Sequence, residues 1–79
     1  MFNNTSNIAL MTNKEILQLI GSRIKNERIS QNMQQVELAN KCNLSIRAIQ
    51  RLEQSGEIAL EKLVKILRSL NRLDQIAQF

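Results

Sequence analysis

The stretch QQVELANKCNLSIRAIQRLEQSG, residues 34–56, contains two short amphipathic segments and the signals that separate them. Asn43 stands where a left-handed residue would end the first segment, because asparagine tolerates positive φ. Ser45 is a suitable N-cap for the second segment, and Gly56 is a suitable stop. The stretch therefore predicts two helices joined by a short turn: 35–42 and 45–55.

Outside this stretch, apolar residues recur at spacings of three and four, and no segment alternates in the manner of a strand. Thr12 and Glu15 form a predicted capping box at the start of a long helix. Gly21 should weaken that helix slightly, since glycine costs about 1 kcal/mol in a helix interior. The sequence thus predicts an all-α fold with three further helices: 12–30, 60–70 and 73–78.

The chain has 79 residues, of which 43% are hydrophobic, so we expect one domain with a modest core. Residues 1–12 lack an anchoring apolar pattern and are expected to form a flexible segment before a domain over 13–79. There is no run of eighteen apolar residues and no secretion signal, which favours a cytoplasmic protein away from membranes.

The chain contains one cysteine and no histidine. We therefore expect no disulfide, metal site or cofactor, and Cys42 falls at an apolar helix position. An enzyme is disfavoured because a phosphate-binding glycine loop and a paired set of carboxylates are missing. Binding of single-stranded RNA is disfavoured because the only aromatic residues are Phe2 and Phe79.

The formal net charge is +4, and its densest excess lies in the middle of the chain. Residues 41–56 carry Lys41, Arg47 and Arg51 against the single acid Glu53. This excess is compatible with binding to nucleic acid or to an acidic protein, although a solvated surface often looks the same.

The two helices of the opening stretch have a small residue where they would touch. Ala39 would allow their axes to approach closely and to cross steeply, as a helix-turn-helix requires, and Ile49 would pack against it. An ordinary helical hairpin in a bundle is the simpler alternative.

The same stretch resembles the helix-turn-helix of the Cro/lambda-repressor-like (Xre) family, and the resemblance extends over residues 20–70. Three positions depart from the family pattern: Gln34 replaces the usual Ser or Thr N-cap, Asn43 replaces glycine and Leu44 replaces valine. We expect a weaker cap at Gln34. The resemblance implies a compact five-helix lambda-repressor-like domain that binds a palindromic DNA operator as a homodimer. The residues that match the pattern are Gln35, Leu38, Ala39, Ser45, Ile49 and Glu53.

Helical periodicity turns Ile49 and Leu52 inward and leaves the opposite face of their helix exposed. Arginine suits guanine O6 and N7, glutamine suits adenine, and an apolar side chain suits a thymine methyl group. The resemblance implies that the helix lies in the major groove and that its outward residues contact base edges: Ile46, Arg47, Gln50 and Arg51.

Two further roles follow from the resemblance and from the charges. Arg28 is expected to form a partly buried ion pair with Glu53. Gln35 is expected to bind a phosphate at the start of its helix, where backbone N–H groups favour anions. The complete set of candidate phosphate contacts is Gln35, Ser45, Lys41 and Arg23.

The C-terminal stretch ALEKLVKILRSLNRLDQIAQF resembles the ending of HipB-like antitoxins, which are encoded beside HipA-like kinases. This implies a transcriptional repressor that belongs to a toxin–antitoxin operon and has a HipA-like kinase toxin as partner. A phage-type or free-standing repressor remains an alternative, and so does a protein-interaction module that uses the helix-turn-helix surface. The candidate dimer contacts, which would otherwise cap the domain, are Leu73, Ile76 and Phe79.

Overall fold

The computed structural model describes residues 7–78 of the chain. These residues contain no strand, and the predicted all-α helix-turn-helix fold is confirmed. The fifth predicted helix is a 3₁₀ helix, and a second 3₁₀ helix lies within the segment expected to be flexible. The predictions for residues 1–6 and for Phe79 lie outside the described residues. The helices are α1 Asn13–Ser30, α2 Gln35–Cys42, α3 Ile46–Ser55 and α4 Leu60–Ser69, with 3₁₀ helices Ile8–Leu10 and Leu73–Gln78.

The predicted helix boundaries hold because local hydrogen bonds and turn residues fix them. The Thr12 hydroxyl accepts from the Glu15 backbone N–H at 3.1 Å, and the Glu15 carboxylate accepts from the Thr12 N–H at 2.8 Å. The backbone hydrogen bond from Thr12 lowers the pKa of Glu15, since it favours the ionised carboxylate. Asn43 and Gly56 end α2 and α3 in the left-handed region, at φ 56° and 76°.

The start of α2 is better capped than Gln34 alone suggests. The Glu37 carboxylate reaches back and accepts from the Gln34 backbone N–H at 3.1 Å. This contact is one half of a capping box, and it satisfies an N–H group that would otherwise have no partner in the helix. A glutamate three residues into the helix thus compensates for the missing serine or threonine.

The core lies where α3 crosses α1 and α2, and α4 closes it from the side of α2. Cys42 belongs to this core: its thiol donates to the Leu38 carbonyl with a sulfur–oxygen distance of 3.0 Å. Burial raises the pKa of the Cys42 thiol, so the side chain behaves as a small apolar residue, as predicted. The largest fully buried side chains are Ile24, Leu38, Ile49, Leu52, Ile66, Leu67 and Leu70.

Gly21 lies in α1 directly against the backbone of α3. A Cβ atom at this position would overlap the backbone oxygen of Leu52 and would also crowd the backbone of Glu53. The glycine that weakens α1 as an isolated helix is therefore required for α3 to dock.

The C-terminal part of the chain is tied back to α1 by polar contacts. Arg72 Nε donates to Glu27 Oε1 at 2.9 Å, and Gln31 Nε2 donates to the Leu70 carbonyl at 2.9 Å. The hydrogen bond from Arg72 is the main cause of the lowered pKa of Glu27. Within residues 7–78, no helix is long and apolar enough to cross a membrane.

Candidate nucleic-acid interface

Helix α3 has one face fixed in the core and one face open to solvent. Ile49 and Leu52 are fully buried, and Glu53 joins them on the inner face. Ile46 is 43% exposed although it is apolar. The outer face therefore consists of side chains that packing does not account for, and they are the predicted base-contact residues and one neighbour: Ile46, Arg47, Gln50, Arg51 and Gln54.

The ion pair that orients α3 is present and is almost completely buried. Arg28 Nε donates to Glu53 Oε2 at 2.6 Å and Arg28 Nη2 donates to Oε1 at 3.0 Å, with 9% and 3% of the two side chains exposed. Arg28 Nη1 donates to the Met33 carbonyl at 2.7 Å. This two-point contact fixes the rotation of α3 about its axis relative to α1.

Gln35 extends this buried pair to the surface. Its Nε2 donates to Glu53 Oε1 at 3.0 Å, in a half-buried position at the first turn of α2. An amide NH₂ group has two donors, so the second N–H can serve an acceptor outside the protein. Gln35 therefore has a structural contact that the sequence did not predict, and replacing it would affect the ion pair as well as the surface.

A polar notch, lined by residues of α1, α2 and α3, separates α1 from the outer face of α3. The notch includes Lys25, a cation that the sequence analysis did not select. The sequence could not predict this position, because no local pattern distinguishes Lys25 and its place in the notch depends on how α1 packs against α3. The notch is lined by Lys25, Gln35, Gln50, Glu53 and Gln54.

Arg23 lies away from this notch, unlike its neighbour Lys25. It lines an apolar groove beside α4 and an adjacent cleft on α1. Residues two apart on a helix are turned by about 200° from each other, since each residue turns about 100°. The structure thus does not bring Arg23 together with Gln35, another predicted phosphate contact, and the role of Arg23 stays a prediction.

The other two candidate phosphate contacts have different surroundings. The Ser45 hydroxyl accepts from the Ala48 backbone N–H at 3.1 Å, and its own O–H group can still donate. Lys41 is exposed in the last turn of α2, about 9 Å along the helix axis from Gln35. A lysine at that end also complements the helix dipole, so its position has an ordinary structural explanation.

The two arginines of α3 are not equivalent. Among residues 7–78, Arg47 has neither a hydrogen bond nor an ion pair with another side chain. Arg51 donates from Nε and Nη2 to Glu57 Oε2, at 3.1 and 2.8 Å. An acid just outside the basic stretch 41–56 thus balances Arg51, because the chain turns back after Gly56 and brings Glu57 to it.

The helix-turn-helix family model matches residues 24–74, which covers more than half of the chain. No curated protein shows a significant match. The match includes α2, α3, α4 and the ion pair between Arg28 and Glu53. The chain belongs to the Xre/lambda-repressor-like helix-turn-helix family, and it is a DNA-binding regulator of that type.

Proposed function

We propose that the protein is a sequence-specific repressor of transcription that inserts α3 into the major groove of double-stranded DNA. The observation that supports this proposal most directly is the outer face of α3. It is oriented by the buried ion pair, carries two arginines and two glutamines, and includes an exposed isoleucine. Folding does not require these side chains at the surface.

The chemistry of this face matches base edges. Arg47 and Arg51 provide paired N–H donors for guanine O6 and N7, and Gln50 provides a donor and an acceptor for adenine. Ile46 provides an apolar contact for a thymine methyl group. The proposed base contacts are therefore Ile46, Arg47, Gln50 and Arg51.

Phosphate contacts surround this face. Gln35 and Ser45 lie at the first turns of α2 and α3, where backbone N–H groups favour an anion. Lys25 lies in the same notch as Gln35 and is a stronger candidate than Arg23. Lys41 is a peripheral candidate at the far end of α2.

We expect the protein to bind a palindromic operator as a homodimer, with half-sites about 34–36 Å apart. An apolar groove between α1 and α4 is a suitable surface for self-association, because Leu60 at its edge is 75% exposed. Ile76 lines the same groove and is 37% exposed, whereas Leu73 is only partly exposed. Sedimentation equilibrium over a range of concentrations tests this part of the proposal, and a strict monomer on the operator would contradict it.

The resemblance of the C-terminal third to HipB-like antitoxins supports a more specific assignment. Under this assignment, the protein is the DNA-binding component of a toxin–antitoxin operon and binds a HipA-like kinase toxin. Co-purification of the tagged chain with the product of the adjacent gene tests this. A free-standing repressor would bind DNA equally well without such a partner.

The decisive experiment is a titration of labelled random-sequence duplex at several salt concentrations, followed by selection from a randomised duplex library. A DNA-binding protein should lose affinity steeply between about 50 and 200 mM salt, because each neutralised phosphate releases counterions. Selection should then return one preferred site. A flat salt response and no enriched sequence would favour a protein-interaction module instead.

A further inference from the structure

Glu57 follows the end of α3 and contacts the face that is proposed to bind DNA. It is an acid beside a face that has two arginines and no acid of its own, and it pairs with one of those arginines. The side chains of Arg51 and Glu57 are 69% and 55% exposed. An ion pair this exposed contributes little to folding, so stability alone does not explain it.

The backbone holds Glu57 in this place. Gly56 ends α3 with φ 76°, and a Cβ atom there would overlap the backbone of Leu17 in α1, so the turn is pressed against α1. The Ser55 hydroxyl donates to the Arg51 carbonyl at 2.9 Å and accepts from the Glu57 N–H at 3.4 Å. The carboxylate therefore starts from an anchored backbone rather than from a free loop.

The contact uses only one edge of the guanidinium group. Glu57 Oε2 accepts from Nε and from Nη2, and neither contact uses Nη1. Nη1 and the second N–H of Nη2 form the end of the group, and this end can donate two parallel hydrogen bonds to guanine O6 and N7. Glu57 thus restrains Arg51 while leaving free the donor pair that reads a base.

From this geometry we propose that Glu57 is a positioning residue that makes Arg51 a reader of guanine rather than a general phosphate contact. The carboxylate restrains the guanidinium and also repels phosphates nearby, so binding at incorrect sequences is weakened more than binding at the correct one. This inference rests on the proposed DNA-binding function, and it adds a residue that determines specificity from outside the recognition helix.

The test compares Glu57→Gln with the wild-type chain on two probes: random-sequence duplex, and the duplex returned by selection with the wild-type protein. The variant should bind random duplex about three- to tenfold more tightly, and its plot of log K against log salt should steepen by about one unit as Arg51 engages a phosphate. Discrimination at one base pair should fall about threefold or more.

Two controls separate this role from a general change in charge. Glu61→Gln removes the same charge from an exposed residue of α4 and should change neither the slope nor the discrimination. Adding Arg51→Ala to Glu57→Gln should abolish the steeper slope.

The inference fails if Glu57→Gln behaves like Glu61→Gln, or if Arg51→Ala alone leaves binding to the selected duplex unchanged. If the wild-type chain selects no DNA at all, it is the proposed function that fails, so the two failures are distinguishable.

Discussion

Single residues in this protein show how folding and binding share one set of side chains. Glu53 accepts hydrogen bonds from Arg28 inside the domain and from Gln35 at its edge. Gln35 in turn has a second N–H for an external acceptor. Gln35, which is predicted to bind a phosphate, therefore also belongs to the hydrogen-bonded network that orients α3.

Arg28→Met should lower the free energy of unfolding by about 3–5 kcal/mol, because it leaves the Glu53 carboxylate buried without its cation. Urea denaturation followed by circular dichroism measures this change. Replacing Arg51 by methionine breaks an exposed pair and should cost less than about 1 kcal/mol. Similar losses of unfolding free energy in the two variants would show that burial does not make the Arg28–Glu53 pair more stabilising than an exposed pair.

Arg47→Ala should weaken binding to the selected duplex by about 1–3 kcal/mol and relax the choice at one base pair. The folded state should be unaffected, because no described side chain pairs with Arg47. Anisotropy titrations against duplexes with single base-pair changes provide the measurement, with Arg68→Ala, at an exposed position of α4, as control. Equal weakening on every duplex would instead identify Arg47 as a phosphate contact.

Among the helices, α1 and α3 depend most closely on each other. Their axes approach where Gly21 meets the backbone of Leu52, and the turn after α3 is pressed against Leu17 through Gly56. Both glycines thus act at contacts between elements. Only Gly56 also requires positive φ, whereas Gly21 is helical and is needed for lack of space.

Gly21→Ala should destabilise the domain by about 1–3 kcal/mol, although alanine is the better helix former. The reason is that the obstacle to a Cβ atom is backbone, which cannot move aside as a flexible side chain can. Thermal unfolding of Gly21→Ala beside Ser22→Ala, an exposed position in the same helix, measures the effect. A gain in stability for Gly21→Ala would mean that α1 and α3 separate easily.

At the scale of the whole molecule, polar contacts tie the C-terminal part of the domain to α1. Glu27 of α1 binds Arg72, which lies between α4 and the C-terminal 3₁₀ helix. Arg72, whose hydrogen bond is the main cause of the lowered pKa of Glu27, lies 45 residues away along the chain.

This pair predicts a specific dependence of stability on acid. The pKa of Glu27 is lowered below its ordinary value of 4.5 in the folded protein, mainly by the hydrogen bond from Arg72. Its contribution is therefore complete above pH 4.5 and is lost as the pH falls through the folded value. Glu27→Gln should cost about 0.5–1 kcal/mol at neutral pH, since the pair is partly exposed.

The difference between Glu27→Gln and the wild-type chain should shrink as the pH falls below 4.5. Urea denaturation at a series of pH values measures this difference, and Glu61→Gln controls for the loss of one acid. A difference that stays constant down to strongly acidic pH would show that the charge of Glu27 is unimportant.

Much of the fold was predictable because its signals are local. Thr12 with Glu15 begins α1, Ser45 caps α3, and Asn43 and Gly56 end their helices, each through contacts within a few residues. The inward and outward faces of α3 follow from its period alone. The ion pair between Arg28 and Glu53 was predicted from family resemblance, since no local pattern links residues 25 apart.

The sequence by itself thus determined the four α-helices and which residues of α3 face the core and which face solvent. Only the tertiary structure decided that Lys25 rather than Arg23 lines the notch. It also decided that α3 packs against Gly21, where a Cβ atom would not fit, and that Glu57 pairs with Arg51. The reason is physical: helix caps and periodicity act over a few residues, whereas the partner of an exposed charge depends on how whole helices pack and where the chain turns back.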